Sequence, residues 1–163
     1  MDYFICIVLT GVGATVLMDV WSVVRERTFR IAPPNYGLVG RWVAHMIRGR
    51  FRHESIANSA PMHRERLIGW TAHYVIGVAF AAILLGVWGL EWVQQPAIGP
   101  ALIVGVGSVM GPFLIMQPGM GAGVAASRTP CPNTARMQSV ATHGVFALGL
   151  YAGGWLARLY YVP

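Results

Sequence analysis

The chain has 163 residues, of which 55% are hydrophobic and 11% charged, and its formal net charge is +6. This composition excludes an ordinary soluble domain and indicates one membrane domain over residues 1–163. The basic charge comes from arginine alone and is explained by loops at a membrane surface. We therefore expect the lipid bilayer, and not nucleic acid, as a partner.

Four apolar stretches approach the ~20 residues that a helix needs to cross a bilayer. They cover about residues 3–24, 67–90, 97–117 and 137–159. These stretches predict an all-α polytopic membrane protein whose four transmembrane helices form two hairpins. Because Asp2 stands where a signal peptide would be basic, the first stretch is interpreted as a retained helix.

The distribution of the arginines predicts the orientation in the membrane. Nine of the twelve lie between residues 25 and 66 and two between residues 117 and 136, whereas the opposite side has one arginine and two acids, Arg158, Asp2 and Glu91. Under the positive-inside rule, the arginine-rich loops are cytoplasmic and both termini are periplasmic. So strong a bias also argues against a protein that inserts in both orientations.

The connection after the first span contains a helix of another kind, over about residues 37–49. Apolar residues recur there at helical spacing opposite basic ones, which predicts an amphipathic helix in the cytoplasmic interface. Its basic residues predict a site for anions or lipid headgroups, the alternative being solvated loop charge. The candidates are Arg41, His45, Arg48 and Arg52.

The third span contains Gly111 and Pro112 in mid-course. Proline removes a backbone hydrogen bond, so we expect the helix to bend or break there. Broken membrane helices often line binding sites, although kinks that packing tolerates are commoner.

One pattern occurs twice, at the start of the second and of the fourth span. Arg66 and His73 are seven residues apart, and so are Arg136 and His143. This spacing places each histidine on the same helical face as its arginine, roughly 10 Å along the helix. The recurrence predicts two parallel repeats related by an axis along the membrane normal, the alternative being a chance match in apolar sequence.

Ionisable residues of three spans are expected at one depth. Asp19 lies near the cytoplasmic end of the first span, so it reaches the depth of His73 and His143, with Gln117 near the end of the third span. An unpaired charge within a bilayer costs about 2.5 kcal/mol or more, which makes such residues candidates for function. The alternative is a set of satisfied hydrogen bonds that fix the helix register.

Several long strings resemble a family of short bacterial inner-membrane proteins that is known only as a domain of unknown function. The strings are GATVLMDVW at 13–21, VGRWVAHMIRGRFRH at 39–53, ERLIGWTAHYVIGVAFA at 65–81, MQPGMGAGVAASRTP at 116–130 and THGVFALGLY at 142–151. The resemblance implies a four-span topology and a location in the inner membrane. It implies no activity.

These features predict an integral membrane protein that binds or translocates a small solute, a proton or an ion. The candidate ligand- or proton-binding residues are Asp19, His73, His143, Arg66, Arg136 and Gln117. An accessory or scaffold subunit is one alternative, which would use the glycine-rich helix faces to bind partners. Binding is favoured over catalysis in each of these interpretations.

A cofactor is the other alternative. Haem b could use His73 and His143 as axial ligands, and a divalent metal could use both histidines with Asp19. Because four helices leave little room for a private pathway, we expect a homodimer or a larger membrane complex.

Overall fold

The computed structural model describes the backbone of residues 2–161 and the side chains of residues 3–160. The side chain of Asp2, which the orientation argument uses, lies outside the described residues. The described backbone is all-α and contains no strand, which confirms the predicted fold class.

Most of the chain is helical. Helix α1 spans Asp2–Phe29, α2 Tyr36–Ile47, α3 Glu65–Gln94, α4 Ile98–Gly107, α5 Gln117–Met120 and α6 Pro132–Tyr161. A π-helical segment, Pro112–Met116, precedes α5, and single 3-10 turns occur at Ile56–Asn58 and Val124–Ala126.

Four helical stretches are long and apolar enough to cross a membrane, as predicted. They are Tyr3–Phe29, Glu65–Gln94, Ile98–Met120 and Pro132–Tyr160. Three of them extend beyond the predicted apolar stretches by several polar or basic residues, because helical hydrogen bonding continues where the apolar sequence stops. Arginine supports such ends, since its alkyl stem can lie along apolar surface while its charge reaches water.

The third of these stretches is interrupted close to the predicted position. Helix α4 ends at Gly107, and the wider π-helical turns begin at Pro112. Because Pro112 has no N–H, it cannot donate to the carbonyl of Ser108, and wider hydrogen bonds such as Gln117 N–H to the carbonyl of Pro112 follow. The expected break in the helix is therefore confirmed.

The chain divides into two compact units. The first unit consists of residues 1–33, 74–108 and 141–163, and the second of residues 34–73 and 109–140. The first unit has a buried apolar core in which Leu84, Leu85 and Leu150 are completely enclosed.

Small residues allow the helices of the first unit to touch through their backbones. A Cβ atom on Gly149 of α6 would lie 2.7 Å from the Cα of Ala14 in α1, and one on Gly105 of α4 would overlap Ala147 of α6. Such contacts stabilise membrane helices because, in lipid, dispersion and close packing replace the hydrophobic driving force.

The second unit brings α2 against the first turns of α3. A Cβ atom on Gly40 would overlap the backbone at Glu65, and one on Gly69 would overlap the carbonyl of Tyr36. A helix is therefore present at the predicted position, and its buried residues are Gly37, Gly40, Trp42 and Ala44.

Two glycines of α6 provide a test of this packing. Gly149→Ala should lower the stability by about 1–3 kcal/mol, because the added methyl group overpacks the contact with Ala14. In Gly144→Ala, the added methyl group meets nothing within 4 Å, so this variant should gain up to ~1 kcal/mol from helix propensity. Thermal unfolding in detergent measures both changes, and equal effects of the two substitutions would contradict the packing.

Candidate functional site

Asp19 of α1 accepts a hydrogen bond from the neighbouring α3. The Tyr74 hydroxyl donates to Asp19 Oδ2 at 2.9 Å, and both residues belong to the first unit. One turn away, Thr15 of α1 touches Gly77 of α3 so closely that a Cβ on Gly77 would overlap the Thr15 hydroxyl. The absence of a side chain at Gly77 therefore lets the two helices approach closely enough for the Tyr74–Asp19 bond.

His143 of α6 has a hydroxyl partner in the same unit. Its Nδ1 lies 2.6 Å from Ser108 Oγ, and Ser108 Oγ also donates to the carbonyl of Gly105 at 2.6 Å. Since a carbonyl can only accept, the serine proton is assigned to that bond and His143 Nδ1 carries the donated proton. The lone pair of the neutral imidazole is then on Nε2.

His73 belongs to the second unit and has a third hydroxyl partner. Tyr36 Oη lies 3.0 Å from His73 Nε2, and the two rings are 4.4 Å apart between centroids. Trp70 packs against Tyr36 at 4.4 Å and completes an aromatic cluster at the start of α3. Tyr36 is held in place because Asn35 caps α2, its side chain accepting from the Gly37 N–H at 3.0 Å.

Sequence reasoning missed all three hydroxyl partners. Tyr74 follows His73 directly, and Tyr36 follows the Pro-Pro-Asn segment. Nothing in the sequence pattern, however, indicates which side chain either tyrosine binds. Their pairing depends on which helix faces contact each other, and the hydropathy pattern of a single helix does not contain that information.

The other predicted ligand-binding residues differ in their surroundings. Arg66 is exposed, whereas Arg136 Nε donates to the carbonyl of Ala125 at 2.8 Å and its Nη1 to Asn133 Oδ1 at 3.0 Å. Gln117 is half-buried, and its Oε1 is enclosed without a hydrogen-bond partner among residues 3–160.

Arg41 of α2 is fixed by an extensive set of bonds. Its Nε and Nη2 donate to the two oxygens of Glu65 at 2.8 and 2.9 Å, while Nη1 donates to the carbonyls of Ala57 and Ser59 at 3.0 and 3.1 Å. The bonded Glu65 carboxylate raises the pKa of Arg41. The bidentate pair joins α2 to the start of α3, and the Nη1 bonds attach the intervening loop to α2.

The remaining residues of the predicted anion site lie in two settings. His45 Nε2 donates to the carbonyl of Ala60 at 3.0 Å, so this side chain, like Arg41, has an internal role. Arg48 and Arg52 are exposed at the end of α2 and in the loop that follows.

His53 is a buried histidine of the second unit that received little weight from sequence alone. Its Nδ1 lies 2.9 Å from Ser59 Oγ, which in turn donates to the carbonyl of Ser55, and its ring is 5.0 Å from that of His45. Burial lowers the pKa of His53, and the positive charges of Arg50 and His45 lower it further.

Metal coordination requires several ligands at one point. Across the described side chains, no three of His, Cys, Asp and Glu come together in a group that could hold a metal ion. For haem, His73 would have to give up the Tyr36 hydrogen bond, because Nε2 is the atom that this bond occupies.

The helices and their polar pairs define a four-span α-helical membrane protein. The chain belongs to the family described as "Protein of unknown function (DUF2938)", whose model matches residues 8–157. No curated protein and no solved structure matches the chain.

His53 predicts a pH dependence for the stability of the protein. The pKa of His53 is lower in the folded protein than in the unfolded chain. As the pH falls through the ordinary histidine range, near 6.5, the unfolded chain therefore binds more protons than the folded protein does. The stability should therefore be complete above about pH 7 and decline towards pH 5. Unfolding midpoints measured across this range should decline less in His53→Gln, which keeps a donor for Ser59.

His63→Gln is the matched control, because His63 is exposed in the same loop region. It should retain the pH dependence of the unchanged protein. If His53→Gln also retained it in full, another group would be responsible.

Proposed function

We propose that the protein binds a proton or a small cation at Asp19 and passes it across the membrane through the first unit. The single observation that carries the proposal is the bond between Tyr74 Oη and Asp19 Oδ2 at 2.9 Å, inside two apolar spans. A carboxylate at this depth is expensive to keep unless it has a role, and the commonest roles are ion binding and proton relay.

The partners of the polar groups support a relay. Hydroxyl groups both donate and accept, so Tyr74 and Ser108 can each pass on a proton, and an imidazole such as that of His143 can gain or lose one. The Tyr74 hydroxyl bonds Asp19 without adding a charge of its own beside the carboxylate.

The break in the third span is part of the proposal. Ser108 lies between the end of α4 at Gly107 and the π-helical segment that begins at Pro112. Irregular backbone within a membrane span is tolerated where it is buried in protein or lines a cavity, and π-helical turns are frequent at functional sites. Movement at this break would change the position of the Ser108 hydroxyl relative to His143.

Flux through reconstituted vesicles tests the proposal. Purified protein in proteoliposomes should carry protons or a monovalent cation down a gradient, followed by an internal pH dye or by cation-sensitive fluorescence. Asp19→Asn should lower the rate by about tenfold or more, because the amide cannot take up a proton. Tyr74→Phe, which removes only the donating hydroxyl, should have a smaller effect.

Glu91→Gln is the matched control for this experiment. Glu91 is an exposed acid of the first unit, so its loss changes the net charge equally and should leave the flux unchanged. A flux that survives Asp19→Asn, or no flux of any tested cation in the unchanged protein, would overturn the proposal.

The direction of transport depends on the orientation, and we propose that the arginine-rich loops are cytoplasmic in a bacterial inner membrane. The support is the distribution of charge, since nine of twelve arginines lie between residues 25 and 66. A cytoplasmic position of these loops would place both termini in the periplasm.

The two cysteines provide a built-in test of this orientation. Cys131 is exposed in the loop before α6, whereas Cys6 is completely buried in α1. A membrane-impermeant maleimide should therefore label Cys131 in inverted vesicles but not in intact spheroplasts. Cys131→Ser should abolish the labelling, and labelling of intact spheroplasts at Cys131 would reverse the orientation.

A further inference from the structure

A buried arginine near the end of α1 takes no part in the proposed relay. Arg25 is only 7% exposed, and its Nε is enclosed without a hydrogen-bond partner among the described residues. Arg25 takes no part in the ion pair that joins Arg41 and Glu65, and its Nε has no acid beside it among the described residues. Enclosing a cation without a compensating charge costs several kcal/mol, because the cation loses its hydration.

A second unpaired donor lies on the same face of the helix. Trp21 Nε1 is also enclosed, and within residues 3–160 it too finds no acceptor. Because Trp21 and Arg25 are four residues apart in one helix, their side chains are neighbours on its surface. Both of these buried donors lack an acceptor. Because one of them carries a positive charge, an oxygen that carries negative charge is the acceptor that would compensate both.

The surroundings of the two donors favour a phosphate group. Arg27 and Arg30 add positive charge at the same end of α1, and the neighbouring Glu26 is exposed and about 100° away around the helix. The guanidinium group matches two oxygens of one phosphate, and its charge strengthens both bonds.

Apolar side chains next to this position are also exposed. Val24 is 41% and Phe29 61% exposed, and Phe29 lies one turn beyond Arg25. An acyl chain attached to the phosphate would therefore find apolar surface beside it.

We propose that Arg25 and Trp21 form a binding site for a phosphate group, either the headgroup phosphate of an anionic phospholipid or free phosphate. Arg25 donates to two phosphate oxygens, and Trp21 Nε1 donates to one. The site does not include Asp19, so the phosphate-site proposal can be tested independently of the proposed relay. Its occupation neutralises the enclosed charge and stabilises the end of the first span.

The experiment measures ligand-dependent stability in the purified, delipidated full-length protein. Thermal unfolding is followed during titration with phosphatidylglycerol, with diacylglycerol of the same acyl chains, and with inorganic phosphate. Phosphatidylglycerol should raise the midpoint in a saturable manner, as expected for a ligand of the folded state. Diacylglycerol, which lacks phosphate, should not.

The inorganic phosphate titration identifies the source of the ligand. A saturable rise with phosphate alone assigns the site to free phosphate, and a rise with phosphatidylglycerol only assigns it to the lipid headgroup. No rise with either ligand, or an equal rise with diacylglycerol, would overturn the proposal.

Three variants locate the site. Arg25→Gln should weaken the apparent affinity by at least about tenfold, since a charged bidentate contact is lost. Arg27→Gln removes an exposed arginine two residues away and should bind as the unchanged protein does. Equal weakening by both substitutions would mean that only surface charge matters, against the proposal.

Trp21→Phe keeps the test decisive even where Arg25→Gln does not fold. It retains an aromatic ring and removes only the N–H donor, so the affinity should fall by a few fold while the unliganded midpoint changes little. If Trp21→Phe bound the ligand as tightly as the unchanged protein does, Trp21 would not donate to the phosphate, and the proposed two-donor site would be wrong.

Discussion

Polar groups inside a membrane protein must find their partners within the protein, because the hydrocarbon core offers no water. Here the groups that most need partners are one carboxylate and two imidazoles, and each has a hydroxyl group beside it. Tyr74 serves Asp19, Ser108 serves His143, and Tyr36 serves His73. A hydroxyl group can both donate and accept, so it can bond a carboxylate or an imidazole without adding a charge beside it.

Each of these pairs lies about one helical turn from a point where a glycine of one helix touches the neighbouring helix. Gly77 meets Thr15, and Tyr74 and Asp19 are three and four residues away from them along their helices. Glycine leaves no side chain between the helices, so the axes approach closely enough for a short hydroxyl to reach its partner. A bond of this kind contributes only ~0.6 kcal/mol on average in a membrane. The close packing at the glycine therefore adds to a stabilisation that the hydrogen bond alone would leave small.

The same relation holds at the two other pairs. Gly105 touches Ala147 close to the Ser108–His143 bond, and Gly40 touches the first turns of α3 close to the Tyr36–His73 bond. Glycine and serine or tyrosine at a separation of three or four residues are thus the signal that could have identified the partners. The spans, the break at Pro112 and the amphipathic helix could be predicted from sequence because each depends on neighbours along the chain.

The remaining contacts could not be predicted, because they join distant parts of the chain. Arg41 carries the sequence pattern of a solvated interfacial charge, yet Glu65, 24 residues later, binds it through two bonds. Charge patterns place arginines on a side of the membrane but do not distinguish a free one from one that fastens a loop. Arg25 illustrates the converse, since its position near a span end suggests solvation, yet the residue is only 7% exposed and its Nε is enclosed.

The contacts of the two histidines and the two arginines show how far the two copies of the Arg-to-His spacing resemble each other. The histidines agree, because His73 and His143 both have a hydroxyl partner one turn from a glycine contact. The arginines differ, since Arg66 is exposed while Arg136 donates to a loop carbonyl. If the copies share a role, the imidazole with its hydroxyl partner carries it, and the arginines follow the separate needs of the loops that precede each span.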